Sequence, residues 1–319
     1  VRTRSPKIIS LLAVAASAGL LLTGCGGQSS EGSEDGTSGS VTVDGSSTVA
    51  PLSEAAADLF RSEQSGVNVT VATSGTGGGF AKFCAGETDL QDASRPIEDD
   101  EIAACEAAGI DYTEIIIAND GLSVVVNPEN DWAECLTTEQ LATMWGPDAE
   151  GTITNWNQID PSFPDQELSL FGAGTDSGTF DYFTDAINGE EGAIRTDYSP
   201  SEDDNITVQG VSGDTGAVGF FGLSYVEQNS DSVKAVAVDN GSGCVSPTAE
   251  TVQDGTYAPL GRGLYVYVAN ASYTDKPQVK SFVDYYVENA SQVAEDALFI
   301  GLTDEQLTTA QDELASLAS

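Results

Sequence analysis

The chain has 319 residues, 11 basic against 51 acidic side chains and no histidine, for a formal net charge of −40. That balance excludes nucleic-acid binding through a basic surface, and the lack of histidine leaves no Ser–His pair for nucleophilic catalysis. An anion bound here must be held by short-range, buried donors, with salt screening the distant repulsive field.

The N-terminus reads as an export signal: Arg2, Arg4 and Lys7 precede an apolar run from Ile8 to Leu22. The run is too short for a good membrane span and is followed at once by polar sequence. It ends in Leu22-Thr23-Gly24-Cys25, which resembles a bacterial lipoprotein cleavage site and makes Cys25 the expected lipidated residue. Removing residues 1–24 leaves 8 basic residues against 51 acidic ones. Gly26 to Ser40 is almost all glycine, serine and acid, with nothing to bury, and reads as a flexible tether. About 280 residues remain, enough for two lobes with substantial cores.

From there the chain alternates strand and helix signals, which predicts an α/β fold. Val41 to Val43 is a strand, and Pro51 opens a helix whose stripe is Leu52, Ala55, Ala56, Leu59 and Phe60. Val67 to Thr73 alternates as a strand, and the next helix carries Phe80 and Phe83. Two apolar runs, Ile115 to Ile117 and Leu122 to Val126, flank Ala118-Asn119-Asp120-Gly121. Thr137 to Trp145 has the Thr-x-x-Gln start of a capped helix. Leu168 to Phe171 is a strand, followed by a helix with Phe180, Phe183 and Ile187 on its buried face. Tyr198 to Asn205 reads as a polar, exposed loop. Gly263 to Val268 is a strand, and the chain from Lys276 is mostly helical, ending with Thr303 to Leu317.

Setting Cys25 aside, Cys84, Cys105, Cys135 and Cys244 make an even number in an oxidising compartment. Cys84–Cys105 with Cys135–Cys244 is the favoured pairing of the three that four cysteines allow. No histidine and no C-x-x-C spacing argue against a metal. An acid-rich, lysine-poor surface suits either a salty habitat or an acidic extracytoplasmic protein of an ordinary high-GC bacterium.

Three segments carry chemistry: Gly45-Ser46-Ser47-Thr48-Val49, Ser74-Gly75-Thr76-Gly77-Gly78-Gly79-Phe80 and Thr175-Asp176-Ser177-Gly178-Thr179-Phe180. Each joins a strand to a helix start, where backbone N–H groups are unpaired and the dipole favours an anion. Glycine lets a ligand approach the backbone, and serine and threonine add hydroxyl donors. Taken singly, each is an ordinary helix cap. Converging, they would cage a tetrahedral oxyanion beyond the carboxyl ends of the strands, where open α/β sheets bind ligands.

These segments, with Thr88-Asp-Leu-Gln-Asp-Ala-Ser-Arg-Pro-Ile97, Asp120-Gly-Leu122 and Tyr257-Ala-Pro-Leu-Gly-Arg-Gly-Leu-Tyr-Val-Tyr267, resemble the phosphate-binding receptors of the high-affinity bacterial phosphate ABC importer, the PstS family. The resemblance spans roughly residues 41–300. It implies an α/β, two-lobed periplasmic-binding-protein type II fold with the ligand in the interlobe cleft. The division implied is signal peptide 1–24, tether 25–40, first lobe 41–119 plus 263–319, and second lobe 120–262. The chain would cross between lobes near 118–122 and 259–264.

The function implied is a monomeric extracytoplasmic receptor, anchored to the cell membrane by its N-terminal lipid. It would bind inorganic phosphate and deliver it to ABC permease subunits, with no catalysis, cofactor or metal. By position, Ser47, Thr48 and the Val49 N–H would bind phosphate from the first segment. Thr76, with Ser74 or Gly77, would bind from the second, and Ser177, Gly178 and Thr179 from the third. Ser94 and Arg95 lie between. Many members of that family have Asp where this chain has Arg95, and an arginine where it has Ala173. The resemblance therefore implies that Arg95 supplies the cationic fork. Asp120 and Asp176 are candidates for the carboxylate that accepts a phosphate proton. Competing readings are a receptor for sulfate, molybdate or arsenate, an extracytoplasmic phosphatase, and an adhesin or phosphate-stress sensor on the same fold.

Overall fold

A computed structural model of the chain describes residues 37–175 and 177–317. Cys25, the signal segment and most of the tether, and also Asp176, lie outside the described residues. The first part runs β1 (Gly39–Gly45), α1 (Ala50–Glu63), β2 (Val67–Thr73), α2 (Thr76–Cys84), β3 (Leu90–Ala93) and α3 (Asp99–Ala108). A long strand, β4 (Tyr112–Val126), leads to β5 (Cys135–Thr137), α4 (Thr138–Trp145), β6 (Ser169–Ala173), α5 (Gly178–Asn188), β7 (Ser199–Ser201), α6 (Asp204–Gly213), β8 (Ala217–Gly222) and α7 (Leu223–Gln228). Three short strands follow, β9 (Lys234–Ala235), β10 (Ala237–Asp239) and β11 (Cys244–Val245), then α8 (Ala249–Gln253). The return strand β12 (Gly261–Ala269) is followed by α9 (Asn270–Asp275), α10 (Pro277–Glu288), α11 (Ala290–Asp296) and α12 (Asp304–Leu317).

The main sheet has the order β2-β1-β3-β12-β4-β8-β6-β7, with β9 also on β4. β1 is parallel to β2 and β3, and β6 is parallel to β7 and β8. β12 and β4 run antiparallel through the middle, with Gly261 opposite Gly121 and Ala269 opposite Tyr112. Beyond Gly121 the partner of β4 changes to β8. Ala118 to Gly121 is therefore strand, not a break between two apolar runs. Its ladder is completed by β12 on one side, and at Asn119 by mutual backbone bonds with Ile300 on the other.

Among the described residues, buried apolar side chains gather into two large clusters and a small one. One large cluster joins Leu52, Ala56 and Phe60 of α1 to Ile115 and Ile117 of β4 and Phe282 of α10. The other joins Leu122 and Val124 of β4 to Trp145, Phe183 and Phe220. The Phe183 and Phe220 rings stack 4.0 Å apart. Each Leu, Ile, Val or Phe among them contributes about 1.5–3 kcal/mol on burial. The helical spacing of Phe180, Phe183 and Ile187 is thus core-facing. Thr137 and Gln140 make the reciprocal capping bonds.

Tyr198 to Asn205 is not a loop throughout. Ser199 to Ser201 adds a strand to the edge of β6, and the Asp203 carboxylate caps α6 by accepting from the Asn205 N–H. The disulfides are Cys84–Cys105, tying α2 to α3, and Cys135–Cys244, tying β5 to β11.

Candidate functional site

The first two glycine-rich segments open onto one cavity of about 540 Å³, lined on the far side by α5 and by β12. Loop 1 leaves β1 at Gly45, whose φ is +146°. A Cβ there would lie 2.1 Å from the Asp92 carbonyl, so only glycine lets the strand end pass. The Ser46 N–H then donates to that carbonyl at 2.9 Å. Ser47 reaches across to α5, its hydroxyl 3.4 Å from the Asp181 carboxylate. The Thr48 hydroxyl accepts from the Arg262 guanidinium at 3.1 Å. Val49 departs from expectation. Its N–H donates to the Ser46 carbonyl at 3.2 Å, closing the turn that starts α1, and its side chain is core.

Loop 2 turns at Gly75, φ +77°, into α2. Thr76 and Gly77 line the cavity, and the Thr76 hydroxyl lies 3.1 Å from that of Ser94. Ser74 lines it too, but its hydroxyl donates to Asp44 at 2.7 Å, so its proton is already committed. Asp44 also pairs with Lys82, and burial is outweighed by these bonds, leaving its carboxyl below the usual range.

Loop 3 departs more. The Ser177 hydroxyl caps α5 by accepting the Thr179 N–H at 3.2 Å. Gly178 abuts Thr48: a Cβ there would lie 2.6 Å from the Thr48 hydroxyl oxygen. Thr179, with Asp120, faces a separate cavity of about 180 Å³. The expected single cage of three loops is therefore divided: Gly178 packs on Thr48, and Thr179 lines a different cavity from loops 1 and 2.

Arg95 also lies at the cavity, but its fork is consumed. Both terminal nitrogens donate to Glu101 at 2.8 Å, and Nε pairs with Glu98 at 3.2 Å. These acids follow Arg95 at the start of α3, whose first turn gathers carboxylates where the helix dipole favours them. The second arginine that lines the cavity is Arg262, which the sequence pattern did not single out. Its Nε lies 3.2 Å from Asp120, its Nη2 bonds Thr48, and its guanidinium stacks 3.4 Å above the Tyr182 ring. Tyr182 is fixed in turn by donating to the Pro259 carbonyl at 2.7 Å. The sequence did hold a signal: Arg262 is one of few basic residues and sits between Gly261 and Gly263, at the expected crossing.

Asp120 thus serves Arg262. Burial raises its carboxyl above the usual range, against the opposing pull of that guanidinium. Asp181 lines the main cavity, and burial raises it as well, with the Ser47 bond and Arg262 acting the other way. Glu191 beside it is raised by burial and then by the charges of Asp181 and Asp185. Among the described residues no group of acids or cysteines is arranged to hold a metal ion.

The profile of the PBP superfamily domain matches residues 30–290. Protein SphX of Synechocystis sp. is 48% identical over 269 residues, covering 84% of this chain and 80% of that protein. Phosphate-binding protein PstS of Staphylococcus saprophyticus is 38% identical over 298 residues, 93% of this chain and 91% of that protein. Among solved structures, a possible phosphate binding protein from Planctomyces limnophilus is 43% identical, with a TM-score of 0.85 over 89% of this chain and 100% of that one. With that coverage at that identity, the chain belongs to the PBP superfamily, in the family that includes the phosphate-binding protein PstS and protein SphX.

Proposed function

We propose that the protein is a receptor that binds inorganic phosphate in the main cavity and passes it to an ABC permease. The observation that carries this reading is Arg262, a guanidinium with only 16% of its side chain exposed, set among hydroxyls and helix starts in a chain of 51 acids. A planar fork of donors suits two phosphate oxygens. The relatives named as phosphate-binding proteins support the same ligand. The two large cores, joined by β4 and β12, support a reading as two lobes, 41–119 plus 263–319 and 120–262, that close on the ligand.

Thr76, Gly77 and Ser94 are assigned as neutral donors, joined by Ser47 and Thr48 once their long 3.4 Å bonds to Asp181 and the Gly178 carbonyl give way to the ligand, and Asp120 as the group that orients Arg262. Asp181 is assigned as the acceptor of the phosphate proton, since its carboxylate lines the cavity and already accepts from the Ser47 hydroxyl there. Sulfate carries no such proton and leaves that acceptor unpaired. Calorimetric titration tests the reading: phosphate should bind, and sulfate should bind at least about 100-fold more weakly. Equal binding of the two, or an Asp181→Asn variant with an unchanged ratio, would sink the acceptor assignment; no phosphate binding would sink the receptor reading. Export and lipid attachment at Cys25 are the finer part of the proposal, supported by the residue pattern of 1–25. An acyl label that persists in Cys25→Ser would refute the attachment.

A further inference from the structure

We propose that Gln91 is a positioning residue that locks the start of α2 to loop 1, so that both present their donors to the ligand in one fixed arrangement. This rests on the reading of the main cavity as the phosphate site. Gln91 sits on β3 and is wholly buried. Its Nε2 donates to the Thr76 carbonyl at 2.9 Å and to the Asp92 carbonyl at 2.9 Å. The Asp92 carbonyl is also the one that takes the Ser46 N–H. A single carboxamide therefore holds the first residue of α2 and the anchor point of loop 1. The N–H groups of the first turn of α2 have no acceptor inside the helix, and their direction follows from where Thr76 is held.

The space around the amide is made by two glycines. A Cβ on Gly79 would fall 2.1 Å from Gln91 Oε1 and 2.6 Å from the Gly45 Cα. A Cβ on Gly45 would fall 2.8 Å from the same oxygen. One glycine belongs to each loop, so the amide lies at the seam between them. Its Oε1 has no hydrogen-bond partner among the described residues. A buried acceptor left unpaired destabilises the fold. An apolar side chain of the same length would fill this space without that penalty. The use of glutamine lies in its two donated bonds, which hold the donors in place before the ligand arrives and reduce the ordering cost of binding.

Gln91→Met keeps the length and removes the donors. In calorimetric titration of the protein with inorganic phosphate, its Kd should rise at least about tenfold. In a Thr76→Val background the same change should cost about threefold or less, because the contribution of loop 2 is already weakened. In a Ser177→Ala background it should keep its full factor. A general loss of stability would not single out the Thr76 background. Gln91→Asn, whose shorter arm cannot reach Thr76, carries the same expectations if the methionine variant does not fold. A Kd within about threefold of the parent, or the same factor in all three backgrounds, overturns the proposal. If the parent itself fails to bind phosphate, the reading of the cavity falls, and the proposal with it.

Discussion

Arg95 and Arg262 show how little a residue type says without its neighbours. Both line the cavity, but Glu98 and Glu101 occupy the nitrogens of Arg95, whereas Arg262 is clamped by Asp120 and Tyr182 with Nη2 turned to Thr48. Truncating a buried charged partner costs about 2–5 kcal/mol, so Arg262→Ala should weaken phosphate binding about 30-fold or more. Arg262→Lys should recover little, because an ammonium lacks the planar fork. Arg95→Ala removes a side chain that is a third exposed and paired with Glu101 rather than with the ligand site, a pair worth about 0–1 kcal/mol, and should change Kd less than about fivefold. Calorimetry on the three variants checks this; the reverse ranking would return the role to Arg95. Hydroxyl serine and threonine positions were legible from sequence. The bond each donor already makes was not: the Ser74 hydroxyl is spent on Asp44 and the Val49 N–H on the Ser46 carbonyl.

At the scale of elements, three strand–loop–helix units supply three helix starts, and the start of α5 comes close enough to the loop before α1 that Gly178 touches Thr48. That approach tolerates no side chain. Gly178→Ala puts a methyl 2.6 Å from the Thr48 hydroxyl and 3.0 Å from its backbone nitrogen, so the two helix starts must separate. Phosphate affinity should fall at least about tenfold, while the thermal midpoint without ligand shifts by no more than about 2 °C. Calorimetry and a thermal scan measure both, and an unchanged affinity would show that this contact plays no part in binding. Apolar spacing announced α1, α5 and the strands β1, β2, β4, β6 and β12, because each buries one face, and the Thr-x-x-Gln cap announced α4. It did not announce that β4 runs unbroken through Asn119 and Asp120, since polar residues in mid-strand are satisfied there only by β12 and by Asn119's bonds to Ile300, Gly301 and Gln306.

Across the whole molecule, a formal charge of −40 sets the long-range field, and that field repels phosphate. Screening should therefore raise the association rate. Stopped-flow measurement should find the rate about twofold or more higher at ~0.5 M than at ~0.01 M sodium chloride. A fall with salt would mean that a local positive potential steers the anion despite the net charge. Composition alone determined this repulsion, because charge is counted without coordinates. Sequence pattern alone likewise determined the alternation of strand and helix and the presence of three candidate anion-binding starts, whereas the choice among three cysteine pairings came from the tertiary structure. Only the tertiary structure decided which starts share a cavity, which acids pair with each arginine that lines it, and which carboxylate holds Arg262. Those choices depend on contacts between Thr48, Asp120, Gly178, Tyr182 and Arg262, residues up to 214 positions apart, and local periodicity carries no information over such separations.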